Sequence, residues 1–191
     1  MEAKRLLRSR LLSQRARRSA ADLAAAGDSI AAHGLAAWIG LETVAAYAGV
    51  GTEPPTRALL DGLRSAGTTV LLPVVTGDEL DWADYESWEG LAAAGRRLLE
   101  PTGPRRGRHA LDRAAVVVVP ALAVDRAGHR LGRGLGYYDR ALGPRLSTVA
   151  VVFDEELLDD VPTEAHDVPI GAVLRPSGLL VTTPTRAAAD D

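Results

Sequence analysis

The sequence predicts a single α/β domain, a three-layer α/β/α sandwich in which helices cover both faces of a mainly parallel sheet. Short apolar segments alternate with helical segments along the chain, which is typical of β-α-β units. The run Ala115–Val119 is apolar throughout, as expected for a strand buried on both faces of a parallel sheet. No repeat or linker divides the 191 residues. We therefore expect one domain over 1–183 and a small, polar, frayed tail at 184–191.

Patterns in the amino-terminal part predict three helices and a strand. The spacing of apolar residues predicts a helix over Lys4–Arg18. Ser19, with Asp22 three residues later, resembles a capping box, so a second helix should start there and run to about residue 38. The partly β-branched segment Thr43–Tyr47 predicts a strand, and the prolines before Thr56–Ala66 favour a helix over that range.

The remainder of the chain predicts further strands. The segment Thr68–Leu72 is expected to be a strand that ends at Pro73. Leu80–Trp88 holds two of the three tryptophans among carboxylates, which predicts either an exposed strand pair or the lip of a cleft. The remaining predictions are a loop at Pro101–His109 and strands at Thr148–Val152 and Leu179–Thr182.

Composition and charge narrow the class of protein. Hydrophobic residues make up 47% and charged residues 25%, which is typical of a soluble globular protein. The chain has no cysteine, which excludes disulfides and thiolate nucleophiles, and we expect a cytoplasmic protein. No apolar run is long enough to span a bilayer, and the amino terminus lacks the apolar core of a secretory signal. The net charge of -3 argues against RNA binding through the basic amino-terminal helix.

The most informative segment is a glycine-rich loop between a predicted buried strand and a predicted helix. Its three glycines stand at alternate positions, where they permit positive φ angles and leave backbone amides open to close approach. Such amides, together with a helix N-terminus, can bind anions. Arg130 and Arg133 add full positive charges. These features predict a cradle for a polyphosphate, with an ordinary glycine turn as the alternative. The glycines are Gly132, Gly134 and Gly136.

Asp139 follows this loop directly. A carboxylate beside bound phosphates can hold Mg²⁺, which usually shares its ligand shell with phosphate oxygens and waters. An alternative role for Asp139 is a favourable interaction with the helix dipole. Neither the Walker A sequence nor the dinucleotide-binding fingerprint fits the loop.

The segment Arg130–Asp139 closely resembles the signature of the 5-formyltetrahydrofolate cyclo-ligase family, also called methenyltetrahydrofolate synthetases. It reads Arg-Leu-Gly-Arg-Gly-Leu-Gly-Tyr-Tyr-Asp. The resemblance extends in order over most of the chain. The other matching segments are Lys4–Arg8, Glu53, Leu72–Pro73, Gly95 with Glu100–Pro101, Val119–Leu122 and His166–Pro169. Val124 and Gly171 depart from the family pattern, in which Phe and Asp are common.

The resemblance implies an ATP- and Mg²⁺-dependent closure of 5-formyltetrahydrofolate to 5,10-methenyltetrahydrofolate by a monomer or weak homodimer. It also implies a role for each matching residue. The implied contacts to ATP are Lys4, Arg5, Arg8, Arg130, Leu131, Gly132, Arg133, Gly134, Leu135, Gly136, Tyr137 and Tyr138. The implied contacts to the folate are Glu53, Gly134 and Tyr137. The implied catalytic residues are Arg133 and Tyr137, and the implied Mg²⁺ ligands are Asp139 and Asp167.

Other interpretations stay open at this point. Lys4 and Arg8 could form the solvated face of a helix, as charge runs usually do. A nucleotide-binding relative that has lost or changed its folate substrate is the main alternative function. A sugar-phosphate isomerase or an acyl-CoA transferase on a similar frame is another alternative. Either enzyme would use a carboxylate as base or nucleophile and would not need ATP.

Overall fold

A computed structural model describes residues 2–95, 98–142, 147–164 and 167–183 of the chain. The helices are α1 (Glu2–Arg15), α2 (Ala20–Trp38), α3 (Arg57–Ser65) and α4 (Tyr137–Ala141). The strands are β1 (Thr43–Ala45), β2 (Thr69–Thr76), β3 (Glu79–Asp84), β4 (Leu91–Ala94), β5 (Leu98–Pro101), β6 (Val116–Pro120), β7 (Ala123–Asp125), β8 (Arg130–Leu131), β9 (Thr148–Val151), β10 (Leu157–Leu158), β11 (Ala172–Arg175) and β12 (Gly178–Val181). Two short 3₁₀ turns cover Arg108–Arg113 and Asp154–Glu156.

A seven-stranded sheet forms the centre of the domain, in the order β12-β11-β9-β6-β1-β2-β3. Its inner strands are parallel, and both edge strands run antiparallel to their neighbours. From β1 the chain adds β2 and β3 on one side, and from β6 it adds β9 and β11 on the other. The strand order therefore reverses between β1 and β6. In open α/β sheets, ligands bind at such a switch point, beyond the carboxyl ends of the strands.

The two faces of the sheet bury separate apolar clusters. Val116 and Val118 of β6 belong to the cluster that contains residues of α2 and α3. Val117 and Val119 belong to the cluster that contains the 3₁₀ turn at Arg108–Arg113 and residues of α4. Successive side chains of a strand point to opposite faces, so β6 is covered on both sides. The predicted α/β fold with a mainly parallel sheet is confirmed.

The start of α2 follows from a local interaction that the sequence predicts. The backbone amide of Asp22 donates to the Ser19 hydroxyl oxygen at 3.1 Å, and the Asp22 carboxylate accepts from the Ser19 amide at 3.1 Å. This reciprocal pair is the predicted capping box, and it is confirmed. The preceding helix ends at Arg15, three residues before the predicted end at Arg18.

The prediction that Pro73 ends its strand is wrong, because β2 continues to Thr76. Proline removes a backbone donor, which matters only where a neighbouring strand needs it. β1 pairs with β2 only as far as Leu71, so on that side Pro73 lies beyond the paired residues. On the other side Pro73 still lies opposite Trp82 of β3.

Short strands are the elements that the sequence pattern misses. The tryptophan-containing segment is the edge strand β3, with Trp82 turned inward and only 1% exposed. Six strands are only two to four residues long: β4 and β5, which form a hairpin, and β7, β8, β10 and β11. The predicted tail at 184–191 lies outside the described residues. Within the described ranges, no helix has the length and apolar character to cross a membrane.

Two glycines with the same backbone angle provide a matched test of how the turn before β8 is held. Gly128 and Gly67 both have a φ of 89°. A Cβ atom at position 128 would lie 2.5 Å from the carbonyl oxygen of Ile170, whereas a Cβ atom at position 67 would meet nothing within 4 Å. The Ile170 amide also donates to the Gly128 carbonyl at 2.9 Å.

We expect Gly128→Ala to destabilise the protein more than Gly67→Ala. Both changes force a side chain into a left-handed conformation, which costs about 1–2 kcal/mol. The overlap at position 128 should add roughly 1–3 kcal/mol to the loss in the free energy of unfolding. Urea unfolding of the two variants measures the difference. Equal losses would show that the contact with Ile170 does not hold this turn.

Candidate active site

The loop after β1 forms one side of the crevice at the switch point. Thr56 closes this loop, because its buried hydroxyl donates to the Tyr47 carbonyl at 2.8 Å and accepts from the Gly49 amide at 2.9 Å. A Cβ atom at position 49 would lie 2.4 Å from the Pro54 carbonyl oxygen, so only glycine fits there without a change in the backbone. The loop is thus a tightly closed turn.

Glu53 projects from this turn and joins it to the glycine-rich loop. One carboxylate oxygen accepts from the Val50 amide at 3.0 Å, and the other accepts from the Arg133 Nε at 2.9 Å. The Glu53 side chain is 10% exposed and that of Arg133 is 28% exposed. The two residues are 80 positions apart in the sequence. Their ion pair therefore spans the crevice between the loop after β1 and the loop after β8.

The glycine-rich loop has the backbone freedom that the sequence predicts at two of its three glycines. Gly134 has a φ of 94° and Gly136 a φ of 69°, while Gly132 is outside the left-handed region. Gly136 is the residue that precedes the five-residue helix α4. Between the two left-handed glycines, Leu135 is 62% exposed at the tip of the loop.

An ion pair ties the beginning of this loop to its end. The Arg130 guanidinium donates to the carboxylate of Asp139, which lies in the first turn of α4. The Arg130 side chain is only 5% exposed, whereas that of Asp139 is 31% exposed. One carboxylate predicted to bind Mg²⁺ thus lies beside one of the predicted phosphate-binding cations.

Helix α1 contacts the same loop through Arg8. The Arg8 Nε donates to the Gly132 carbonyl at 2.9 Å. Its guanidinium carbon lies 3.6 Å from the position that a Cβ atom of residue 134 would take. The loop therefore packs directly against this cation, and a side chain at Gly134 would crowd it.

Lys4, one helical turn before Arg8, forms an ion pair with Asp167, the second predicted metal ligand. The Lys4 Nζ lies 2.7 Å from a carboxylate oxygen of Asp167 and 3.2 Å from one of Glu164. Burial acts to lower the pKa of Lys4, but its hydrogen bonds and ion pairs with Asp167 and Glu164 outweigh that effect and raise it. Lys4 is therefore a cation at all physiological pH values.

The two tyrosines of the signature point to different surroundings. The Tyr138 hydroxyl is buried and has no hydrogen-bond partner in the described part of the chain. Burial raises the pKa of Tyr138, an effect that Arg130 opposes and Glu53 reinforces, so the phenol stays neutral. Tyr137 borders a cavity of about 220 Å³ together with Trp82, and the Arg140 guanidinium lies 5.3 Å from its ring centroid.

The structure brings together most of the residues that the sequence singled out, from four separate segments. Arg5 is an exception, since its side chain is 75% exposed and forms an ion pair with Glu2. It lies one position from Lys4 and therefore about 100° around the helix from the face that meets the loop. Sequence reasoning missed Thr56, whose two hydrogen bonds reach back seven and nine residues within one irregular loop, where no helix or strand periodicity marks them.

A second cavity, of about 350 Å³, lies at the opposite end of the sheet. Thr43 and Thr69, the first residues of two parallel strands, line it, together with the ion pair of Arg106 and Asp84. The lining contains none of the predicted site residues. The residues that the sequence singled out therefore lie away from this cavity.

The metal prediction rests on two carboxylates. In the ranges that the structure describes, no cluster of three or more His, Cys, Asp or Glu side chains could hold a metal ion. Asp139 is paired with Arg130, and Asp167 with Lys4. A pair of carboxylates suits Mg²⁺ bound together with phosphate oxygens, because that ion usually takes only one or two carboxylates from the protein.

Comparisons with known proteins identify relatives over nearly the whole chain. The sequence model of the 5-formyltetrahydrofolate cyclo-ligase family matches residues 1–176. The 5-formyltetrahydrofolate cyclo-ligase of Mycolicibacterium smegmatis is 43% identical over 190 residues, which cover 94% of this chain and 96% of that protein. The Escherichia coli K12 protein of the same name is 32% identical over 142 residues, or 71% of this chain and 78% of that protein.

Solved structures show the same fold. A 5,10-methenyltetrahydrofolate synthetase from Aquifex aeolicus superimposes with a TM-score of 0.75 at 23% identity, covering 98% of this chain and 96% of that one. One from Mycoplasma pneumoniae superimposes with a TM-score of 0.70 at 18% identity, covering 90% and 97%. At these identities the likeness concerns the architecture alone.

Two substitutions at Thr56 test whether its hydroxyl holds the loop after β1. Thr56→Val removes the partner of the Tyr47 carbonyl and of the Gly49 amide, and each buried group left unpaired costs about 1–3 kcal/mol. Thr56→Ser keeps the hydroxyl and loses one methyl group, worth about 1 kcal/mol. Urea unfolding should therefore rank valine as the more destabilising change. The reverse order would mean that packing, not hydrogen bonding, closes the loop.

Proposed function

This chain belongs to the 5-formyltetrahydrofolate cyclo-ligase family, and we propose that it uses ATP and Mg²⁺ to convert 5-formyltetrahydrofolate to 5,10-methenyltetrahydrofolate. One observation carries the proposal. The family signature Arg130–Asp139 folds into a loop at the switch-point crevice, where Arg133 is paired with Glu53 from the opposite loop. The proposed phosphate-binding segment and the proposed folate-binding carboxylate are thus in direct contact.

The reaction must activate an unreactive group. The formyl group is amide-like, and its oxygen is a poor leaving group. In the proposed first step the formyl oxygen attacks the γ-phosphorus of ATP, the bond to the β–γ bridging oxygen breaks, and ADP leaves. N10 of the folate then attacks the activated carbon and loses its proton. Finally the carbon–oxygen bond breaks, so inorganic phosphate departs with the former formyl oxygen.

The proposed nucleotide side consists of the glycine-rich loop and the cations around it. Phosphoryl transfer depends mainly on positioning and on stabilisation of charge. Open amides of the loop and the cations Lys4, Arg8, Arg130 and Arg133 would supply both. Leu131 and Leu135 would contribute backbone contacts only, and Tyr138, whose hydroxyl is buried, would contribute through its place in the first turn of α4.

Arg133 is the proposed link between the nucleotide and the folate. Only its Nε–H is engaged, with Glu53, among the hydrogen bonds of the described residues. An arginine carries five N–H donors, so its terminal nitrogens remain available to the transferred phosphoryl group. The Glu53 carboxylate retains acceptor capacity for N–H groups of the folate, and Gly134 and Tyr137 are the other proposed folate contacts.

Mg²⁺ is proposed to be held by Asp139 and Asp167 together with the phosphates. The bound ion would neutralise charge on the phosphate oxygens. Asp139 can reach this role because Arg130 holds it beside the loop, and Asp167 because Lys4 holds it against α1. We propose that the active form is a monomer or weak homodimer in the cytoplasm.

The direct test follows the near-ultraviolet absorbance of methenyltetrahydrofolate. The purified protein is mixed with 5-formyltetrahydrofolate and Mg-ATP, and a parallel sample lacks ATP. We expect the band to grow only with ATP, with one ADP formed per product. Nucleotide binding without growth of the band would instead favour a relative that has lost or changed its folate substrate.

Arg133→Ala tests the proposed catalytic cation. Loss of one preorganised charge at a reacting centre lowers turnover by about 10²–10³-fold, and we expect a loss of that size here. Arg126→Ala is the matched control, because Arg126 is an exposed arginine shortly before the signature. Wild-type turnover in folded Arg133→Ala would remove this residue from the mechanism.

Asp139→Asn tests the proposed metal ligand. The amide keeps the shape of the side chain but lacks the negative charge. The Mg²⁺ concentration for half-maximal turnover should therefore rise by roughly tenfold or more. Asp160→Asn, a change at an exposed carboxylate, is the control. An unchanged Mg²⁺ dependence in Asp139→Asn would leave Asp139 only its ion pair with Arg130.

A further inference from the structure

One face of α1 carries cations where an amphipathic helix normally carries apolar residues. Lys4, Arg8, Leu11 and Arg15 follow one another at intervals of four, three and four residues. This spacing defines the single face by which a helix packs on a protein. The buried residues of α1 are Lys4, Leu11 and Arg15. The face therefore docks through three cations and the buried Leu11, and the partly buried Leu7 and Leu12 pack against the same apolar cluster.

Each cation of this face meets a different segment of the chain. Lys4 pairs with Asp167, and Arg8 donates to the Gly132 carbonyl in the glycine-rich loop. Arg15, at the last position of the helix, is held by Glu156 and the Ala121 carbonyl. Seven residues separate Arg15 from Arg8, which is about 10.5 Å along the axis.

Arg15 is fixed by a fork of hydrogen bonds in a fully buried position. Its side chain is 1% exposed. The Nε and one Nη donate to the two carboxylate oxygens of Glu156, each at 2.7 Å, and that Nη also donates to the Ala121 carbonyl at 2.7 Å. Glu156 is itself held, because one of its oxygens accepts from the Phe153 amide at 2.9 Å.

Such a fork restricts both the rotation of the helix and its position along its axis. A planar guanidinium that donates two parallel bonds to a carboxylate accepts little change in angle. Glu156 lies just beyond β9, and Ala121 just beyond β6. The carboxyl end of α1 is therefore set directly against the ends of two central strands, on the side of the sheet where the crevice opens.

We propose that Arg15 is a positioning residue, which by its fork to Glu156 and Ala121 sets the register in which Lys4 and Arg8 reach the nucleotide. This inference rests on the proposed function only in assigning Lys4 and Arg8 to the phosphates of ATP. A small rotation at Arg15 moves the far end of a rigid helix, so it displaces the side chains of Lys4 and Arg8.

A purely stabilising role is the alternative, and the physics of buried ion pairs separates the two. Desolvation offsets much of the attraction in a buried pair, so apolar residues of similar volume often stabilise a protein equally well. Apolar residues cannot reproduce the directed fork. A double variant, Arg15→Met with Glu156→Leu, should therefore lose the register, while its stability falls only through the Phe153 amide and the Ala121 carbonyl, which lose their partners.

The test measures nucleotide and folate affinity separately in this double variant. We expect the KM for Mg-ATP to rise about tenfold, as a shift of well under 1 Å in the cations would produce, with the KM for 5-formyltetrahydrofolate changed less than twofold. The dissociation constant for Mg-ADP, measured by calorimetry without folate, should rise by the same factor. This second readout stands even if the protein lacks the proposed turnover.

Two further variants keep the inference open to refutation. Arg15→Lys retains the charge but not the fork, and it should weaken Mg-ADP in the same direction even if the double variant fails to fold. Arg18→Met is the matched control, because Arg18 stacks on the Phe153 ring at 3.6 Å but lies beyond the end of α1. Unchanged Mg-ADP affinity in folded Arg15 variants, or equal weakening of both substrates, would overturn the proposal.

Discussion

The ion pair between Glu53 and Arg133 is the contact on which the candidate active site depends. The sheet topology brings the loops after β1 and β8 to the same crevice, but nothing covalent keeps them at a fixed separation. Glu53 stands on a turn closed by the Thr56 hydroxyl, whereas Arg133 stands in a loop with left-handed glycines on its carboxyl side. The fixed carboxylate of Glu53 thus orients the Arg133 guanidinium, because the backbone around Arg133 restricts that side chain only weakly. The same arrangement recurs at Arg130, whose partner Asp139 lies in the first turn of a helix.

Helix α1, at the amino terminus, is also held by directional polar contacts. A helix docked by an apolar stripe tolerates small slides and rotations, because dispersion contacts are numerous and weakly directional. Hydrogen bonds to carboxylates and carbonyls depend strongly on angle. Leu11 is the buried apolar residue of the docking face, and Leu7 and Leu12 pack partly buried beside it. The polar contacts of the three cations add the directional restraint that these leucines lack. A helix that presents charges to a reacting centre benefits from this kind of attachment.

The sequence predicted the parts of the fold that depend on local chemistry. Apolar, β-branched runs predicted the central strands, and the Ser19 capping box predicted the start of α2. The β2 strand passes through Pro73, beyond the last residue that pairs with β1, and only the register of the sheet reveals that. The signature predicted the phosphate-binding loop, yet the pairing of Arg133 with Glu53 joins residues 80 positions apart and leaves no trace in spacing. The pattern of Arg15 was visible in the sequence, but charges on a helix usually face solvent.

Three of the four cations around the glycine-rich loop already have internal counter-ions. Lys4 is matched by Asp167, Arg130 by Asp139 and Arg133 by Glu53. In the proposed function, an incoming polyphosphate would share these cations with carboxylates of the protein, and Asp139 and Asp167 would also help to hold Mg²⁺. Because much of the positive charge is already compensated, the affinity for nucleotide should depend less on ionic strength than it would in a cleft lined by cations alone.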